Sequence, residues 1–269
     1  MSQAVQPARR LALITGASSG IGEALASCFA QDGHDLVLVA RSADKLRSLA
    51  ADLKSAHGAK VLVHSADLSL PGTPAALAAA LKRRRVVVDM LVNSAGVLEH
   101  GAFCDISAAR HQELIDLNIT ALTGLLAQFV PGMRERGFGR VLNVASIAAF
   151  QPVPTLATYA ATKAYVLSLT ESLAEELRGS GVTVTALCPG ITATRMLTRA
   201  SQSSDALSRL PAFLVGDAAA VAAEGYRACM RGEVIPVPGV LNRVGTLAAR
   251  AAPKWLLRNL SGRVTRRSL

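Results

Sequence analysis

Short apolar runs alternate with longer amphipathic stretches along this chain. Leu11–Thr15, Leu36–Ala40, Lys60–His64, Met90–Asn93, Arg140–Val144 and Val182–Cys188 are Leu-rich or β-branched and end at turn residues, which predicts strands. Between them, Ile21–Gln31, Ser42–Ala56, Pro74–Arg84, Ile106–Arg134 and Thr158–Arg178 repeat their apolar residues with a helical period. Strands that are apolar at nearly every position are expected where both faces of a sheet are covered. The βαβαβ order therefore predicts an α/β fold, a doubly wound parallel sheet with helices on both sides. No repeat or linker divides the chain, so residues 1–269 are expected to form one nucleotide-binding domain. After Cys188 the pattern loosens into an irregular stretch as far as Leu214, a helix near Asp217–Arg231 and a basic end.

Composition narrows the classes. Hydrophobic residues are 51% and charged residues 18% of the 269, enough for a sizeable core and unlike a disordered chain. The four cysteines (Cys28, Cys104, Cys188, Cys229) have no paired spacing, which argues against a zinc ribbon, a redox pair or a disulfide scaffold. Free thiols in a reducing cytoplasm are the expectation. The net charge of +10 is unevenly placed, because residues 240–269 carry seven basic side chains and no acid. The body is nearly balanced, and neither aromatic interleaving nor a motif supports nucleic-acid binding. No run of 18 apolar residues predicts a membrane span. Arg9, Arg10 and Leu11–Ile14 imitate a signal sequence only briefly, before the turn that follows.

That turn carries the first candidate chemistry. Leu11–Thr15 runs into Gly16-Ala17-Ser18-Ser19-Gly20-Ile21-Gly22 and then a helix. Glycines at 16, 20 and 22 let the backbone approach a pyrophosphate, and the helix offers free N–H groups and the positive end of its dipole. About 20 residues on, an NAD site usually places a carboxylate on the ribose 2′-hydroxyl. Here Ala40-Arg41-Ser42 has none, and Arg41 is suited to a 2′-phosphate, so NADP(H) is expected in preference to NAD(H). A solvated Arg opening a helix is the bland reading. Asp67-Leu68 could receive the adenine amino group, or Asp67 could cap a turn.

Tyr159 and Lys163 lie four apart in a helical stretch and share a face. A free phenol titrates near pH ~10, so proton transfer at pH 7 needs roughly 4 kcal/mol of phenolate stabilisation. A nearby ammonium acts in that direction. Ser146 closes a strand at the same sheet edge as the glycine turn, where its hydroxyl can polarise a carbonyl.

With Thr15-Gly16-x-x-x-Gly20-Ile21-Gly22, Asp67, Asn93-Ser94-Ala95-Gly96, Asn118, Ser146, Tyr159-x-x-x-Lys163 and Pro189-Gly190 in this order, the chain resembles the short-chain dehydrogenase/reductase family from Leu11 to about Thr194. The resemblance implies a seven-stranded Rossmann sheet. It implies Tyr159 as general acid/base, Ser146 as carbonyl stabiliser, and Lys163 lowering the Tyr159 pKa while bonding the nicotinamide ribose. It implies that Asn118 holds a water linked to Lys163. Gly16, Ser18, Ser19, Gly20, Ile21, Gly22, Arg41, Asp67, Leu68, Asn93, Ala95, Gly96, Tyr159, Lys163, Pro189, Gly190, Thr192 and Thr194 would line the cofactor. No metal is implied. Ser94 stands where the family usually has a second Asn, and Ser18-Ser19 where many NADP-preferring relatives carry a basic residue, leaving Arg41 most of the 2′-phosphate selectivity. Pairing through Ile106–Arg134 and Thr158–Arg178 into a homodimer or homotetramer is expected by analogy.

Residues 195–215 are expected to form a substrate lid. With Phe150, Val153, Pro154 and Leu156 they suggest a site for an apolar small-molecule carbonyl or secondary alcohol. Arg243, Arg250, Lys254 and Arg258 line one side of a possible helix, kinked at Pro253. This extension either rests peripherally on anionic lipid or packs with a solvated basic face. The leading expectation is an NADP(H)-dependent oxidoreductase. A non-catalytic NADP(H)-binding or membrane-docking protein and a sugar epimerase or dehydratase are the alternatives.

Overall fold

The computed structural model describes residues 9–194, 197–198 and 215–253. The lid therefore lies almost wholly outside the described residues, as do Lys254, Arg258 and the rest of the basic end.

Six strands form one parallel sheet: β1 (Leu11–Thr15), β2 (Asp35–Ala40), β3 (Val61–Ser65), β4 (Met90–Asn93), β5 (Gly139–Val144) and β6 (Val182–Leu187), in the order β3-β2-β1-β4-β5-β6. Each predicted strand is present, within a residue of its expected ends. The helices between them are α1 (Gly20–Gln31), α2 (Ala43–His57), α3 (Thr73–Arg83), α4 (Ala108–Ile115), α5 (Leu122–Glu135) and α6 (Ala157–Glu176), followed by α7 (Ala218–Arg231) and α8 (Val240–Ala251).

The strand residues sort alternately into two cores. Leu13, Val37, Val39, Leu91, Val141 and Val184 pack with Leu77 of α3, Leu125 of α5 and Val166 of α6. Ala12, Ile14, Leu36, Leu38, Met90 and Leu142 pack with Phe29 of α1, Leu46 of α2 and Val221 of α7. Side chains point to opposite faces at successive strand positions, so a sheet covered on both sides must be apolar at every one.

Two expectations are corrected. The predicted helix Ile106–Arg134 is interrupted: α4 begins only after Ser107, whose side chain accepts from the Arg110 N–H at 3.3 Å, and a π-helical turn, Asp116–Ala121, separates it from α5. Residues 108–135 are long and apolar enough to cross a bilayer by length and hydropathy, yet Leu122, Leu125, Leu126, Val130 and Met133 are buried in the first core.

The implied seventh strand does not complete a ladder. Residues 234–238 run beside β6, where Ala186 N–H donates to Val234 O at 2.7 Å and Cys188 N–H to Pro236 O at 2.9 Å. In a parallel ladder the return bonds to Ala186 O and Cys188 O would come from the N–H groups of residues 236 and 238, and both are proline. The segment is held by half its bonds, with Ile235 and Val237 packed on the first core. On its outer side, Arg243 Nε of α8 donates to Val237 O at 2.9 Å.

Candidate active site

The glycine turn, Arg41, Asp67, Ser94–Gly96, Ser146 and Pro189–Gly190 each follow the carboxyl end of a strand, so the parallel sheet gathers them along one edge, where Lys163 of α6 bonds to Val144 O at the end of β5. The strand order reverses between β1 and β4, and ligands of such sheets bind in that crevice.

At one end the glycine turn is held by backbone. Gly16 and Gly20 adopt φ +67° and +61°, where a side chain is strained. A Cβ on Gly22 would stand 2.5 Å from Gly16 O, and one on Gly16 would stand 2.8 Å from the Ala95 backbone. Thr15 Oγ1 donates to Val92 O (3.2 Å) and accepts from the N–H groups of Ser94 and Ala95 (both 3.1 Å), clamping the two loops together. Ser19 occupies the N-cap of α1 but its side chain makes no cap bond, so the first turn keeps N–H groups for an anion. Thr194 reaches across from β6, with its Cγ2 3.0 Å from where a Gly20 Cβ would lie. Thr192 Oγ1 turns back to donate to Gly190 O at 3.0 Å. This cradle fits a pyrophosphate.

Arg41 and Asp67 meet: Arg41 Nη1 lies 3.7 Å from Asp67 Oδ2. Asp67 Oδ1 accepts from Ser69 N–H (3.0 Å) and Ser69 Oγ (2.6 Å), so it caps the turn after β3. Partial burial pushes its carboxyl pKa up, but the Ser69 bonds and the Arg41 charge outweigh that and hold it below its ordinary value. Beside the glycine turn, Ala17, Ser18, Glu23, Lys45, Ser48, Leu49 and Asp52 line a hollow of about 340 Å³. Lys45 was not foreseen. The signal was its place four residues after Arg41, in the first turn of α2.

Not every cofactor candidate faces the cleft. Asn93 is buried and its Nδ2 donates to Asn143 Oδ1 at 2.9 Å, while Asn143 Nδ2 donates to Thr170 Oγ1 at 2.9 Å. As the last residue of β4 it points along the sheet toward β5, leaving only backbone at the edge. Leu68 is likewise buried in the first core. Ser94, in place of the usual Asn, lies with its Oγ 3.1 Å from where a Gly22 Cβ would be.

At the other end the site is built from side chains. Ser146 Oγ accepts from Ala148 N–H at 3.1 Å, and its hydroxyl is close enough to Tyr159 to lower the pKa of that phenol. Lys163, one turn further along α6, is 6% exposed, and its Nζ donates to Val144 O at 2.8 Å. Gly96 leaves room beside it, since a Cβ there would stand 3.6 Å from Lys163 Nζ and 3.2 Å from Asn118 Oδ1. Lys163 Nζ stands 5.7 Å from the centre of the Tyr159 ring. Burial pushes the Tyr159 phenol up to about 12, with the neighbouring Ser146 hydroxyl acting against it. Burial likewise pushes Lys163 down to about 8, so the ammonium itself is strained in this dry site.

Asn118 sits in the π-helical turn with its amide fully engaged. Its Oδ1 accepts from Val97 N–H (2.9 Å), and its Nδ2 donates to Val97 O (3.0 Å) and Thr162 Oγ1 (3.1 Å). It therefore staples the loop after β4 to α6. π turns inside α-helices are frequent at functional sites, because the extra residue re-aims a side chain.

On the substrate side, Val153 and Leu156 pack with Tyr159, Ala160, Leu114, Val97 and Leu98 as expected. Phe150 instead joins the first core, with the Arg250 guanidinium 5.8 Å from its ring centroid. Thr155, at φ +66°, accepts from Gly101 N–H (2.9 Å), and its Oγ1 lies 3.1 Å from His100 Nε2, joining two loops that sequence reasoning left separate. Asn242 was also missed: a Gly190 Cβ would stand 2.5 Å from its Nδ2, so α8 packs directly on the Pro189–Gly190 turn.

Comparison with known proteins agrees with this arrangement. The family model described as short chain dehydrogenase matches residues 10–205. An uncharacterised oxidoreductase of Staphylococcus epidermidis is 36% identical over 187 residues, 70% of this chain and 80% of that protein. A short-chain dehydrogenase of Sphingobium yanoikuyae, solved with NADPH, is 37% identical with a TM-score of 0.80, covering 88% of this chain and 91% of that one. The bulky-bulky ketone specific alcohol dehydrogenase of Comamonas testosteroni is 32% identical with a TM-score of 0.76, covering 88% and 90%. With the motif order, the sheet and the gathered edge residues all in agreement, this chain is an oxidoreductase that belongs to the short-chain dehydrogenase/reductase family.

Proposed function

We propose that this chain uses NADP(H) in preference to NAD(H) to interconvert an apolar carbonyl compound and its secondary alcohol. The observation that carries the reading is Tyr159 with Lys163 Nζ 5.7 Å from its ring centre and anchored on Val144 O at the end of β5, at the same sheet edge as the glycine cradle. The nicotinamide supplies or accepts the hydride and, when oxidised, brings a positive charge.

The chain's own residues do the rest. Ser146 holds the substrate oxygen against Tyr159 Oη, and Tyr159 donates or receives the proton at that oxygen. A phenol near 12 is a poor base at neutral pH, so it needs positive charge close by. Lys163, fixed by Val144 O, supplies part of that charge when protonated and has donors left for a ribose hydroxyl. Val97, Leu98, Val153 and Leu156 exclude water from the phenol and favour an apolar substrate. The preference for NADP(H) rests on Arg41 and Lys45, two cations at the adenosine end. The NADPH bound to the Sphingobium relative and the bulky ketones of the Comamonas relative support both halves of the reading.

Tyr159→Phe tests it. Turnover of NADPH with a panel of ketones should fall by roughly 10²–10⁴-fold, the usual worth of a positioned acid. NADPH affinity, followed by its fluorescence, should stay within a few-fold of the parent. Unchanged turnover would sink the assignment.

A further inference from the structure

Most helices here bury their apolar face, but α8 does the reverse. Val240, Leu241, Val244 and Leu247 recur on one side of this helix and are 74%, 68%, 63% and 69% exposed. The opposite side, with Thr246 and Ala249, is the buried one. The basic stripe read from the sequence is not free either: Arg243 pairs with Glu224 of α7, and Arg250 lies 3.8 Å from Glu171 of α6. These contacts and Asn242 fix α8 with its hydrophobic residues outward. A contiguous exposed apolar face on a packed helix marks an interaction surface.

We propose that the outward face of α8 docks on a bilayer carrying anionic phospholipid. Charge selects this occupant. Residues 254–269 hold Lys254, Arg258, Arg263, Arg266 and Arg267 and no acid, directly after the exposed face. A second copy of a chain with net charge +10 repels the first, whereas an anionic headgroup layer attracts it. The same segment contains Trp255, the one tryptophan of the chain, with Leu256, Leu257 and Leu260, residue types suited to the interfacial layer. Through Asn242 on Gly190 and Arg250 over Phe150, α8 ties this surface to the loops that flank Ser146.

The test needs no turnover, so its outcome is separate from that of the catalytic reading. Full-length protein is sedimented with vesicles of phosphatidylcholine or phosphatidylglycerol while Trp255 emission is followed. Binding to phosphatidylglycerol with a blue shift is expected, with at least roughly tenfold weaker binding to phosphatidylcholine. Leu241→Asp with Leu247→Asp, at exposed positions that the fold does not need, should weaken binding by roughly tenfold or more. Arg263→Glu, Arg266→Glu and Arg267→Glu together should abolish the lipid preference. Failure to bind phosphatidylglycerol, or equal binding by the Asp variant, overturns the proposal. So does an oligomer that the Asp variant dissociates, since a second copy then covers the face.

Discussion

The two ends of the cleft are built on opposite principles. The glycine turn works by leaving side chains out: Gly16, Gly20 and Gly22 bring backbone against backbone, and its electrostatics come from the backbone dipoles at the start of α1 rather than from formal charge. The end around Tyr159 works by putting polar side chains into a dry place, and the protein carries the strain as displaced pKa values for Tyr159 and Lys163. One end is therefore sensitive to added atoms, and the other to the protonation state of what is already there.

The largest effect that would sharpen this contrast is at Lys163. Its folded pKa of about 8 lies below its ordinary value of 10.5. Below pH 8 the lysine is protonated in both folded and unfolded chains, and folding bears the full cost of burying an ammonium, on the order of 3 kcal/mol. Between pH 8 and 10.5 the folded chain gives up the proton first, the unfolded chain binds more protons, and stability rises with pH. Urea unfolding should therefore show Lys163→Met more stable than the parent at pH 7, with the gap closing by pH 10. A gap independent of pH would mean that the buried charge is not what strains this end.

At the glycine end, Gly22→Ala should weaken NADPH binding by roughly 10–100-fold, since an extra methyl in a filled space costs ~1–3 kcal/mol. Neither Gly16 O nor its carbonyl carbon can yield without moving β1. Isothermal titration would check it, and affinity kept within twofold would break the contrast. The smallest effect is expected at the rim. Arg41→Ser should reduce the preference for NADPH over NADH by roughly tenfold, the worth of one charge-assisted hydrogen bond at an exposed site. Combining it with Lys45→Ser should erase the remainder. Steady-state ratios with both cofactors read this directly, and an unchanged ratio would take the two cations out of the selectivity.

The sheet was legible because double-sided burial imposes apolar residues at every strand position, and Leu11–Thr15 or Met90–Asn93 could hardly be read otherwise. The glycine turn and the Tyr159–Lys163 pair were legible because their geometry demands particular residue types at fixed spacing. Elsewhere the signals were silent. A π turn has the same composition as the helix around it, so the break at Asp116–Ala121 leaves no mark in hydropathy. The inward amide of Asn93 depends on Asn143, fifty residues away, and the docking of Asn242 on Gly190 depends on a helix at the other end of the chain. Spacing could put Arg243 and Arg250 on one side of a helix. It could not show that Glu224 and Glu171 would claim them.

The prolines beside β6 reach beyond the ladder they leave unfinished. A parallel sheet that stops leaves a raw margin of amides and carbonyls able to recruit a stray extended chain. Here Pro236 and Pro238 hold that margin by half its bonds, and Arg243 occupies the Val237 carbonyl that would otherwise welcome a newcomer. The described sheet thus ends in a blunted selvedge, with α8 standing where cross-β growth would have to begin.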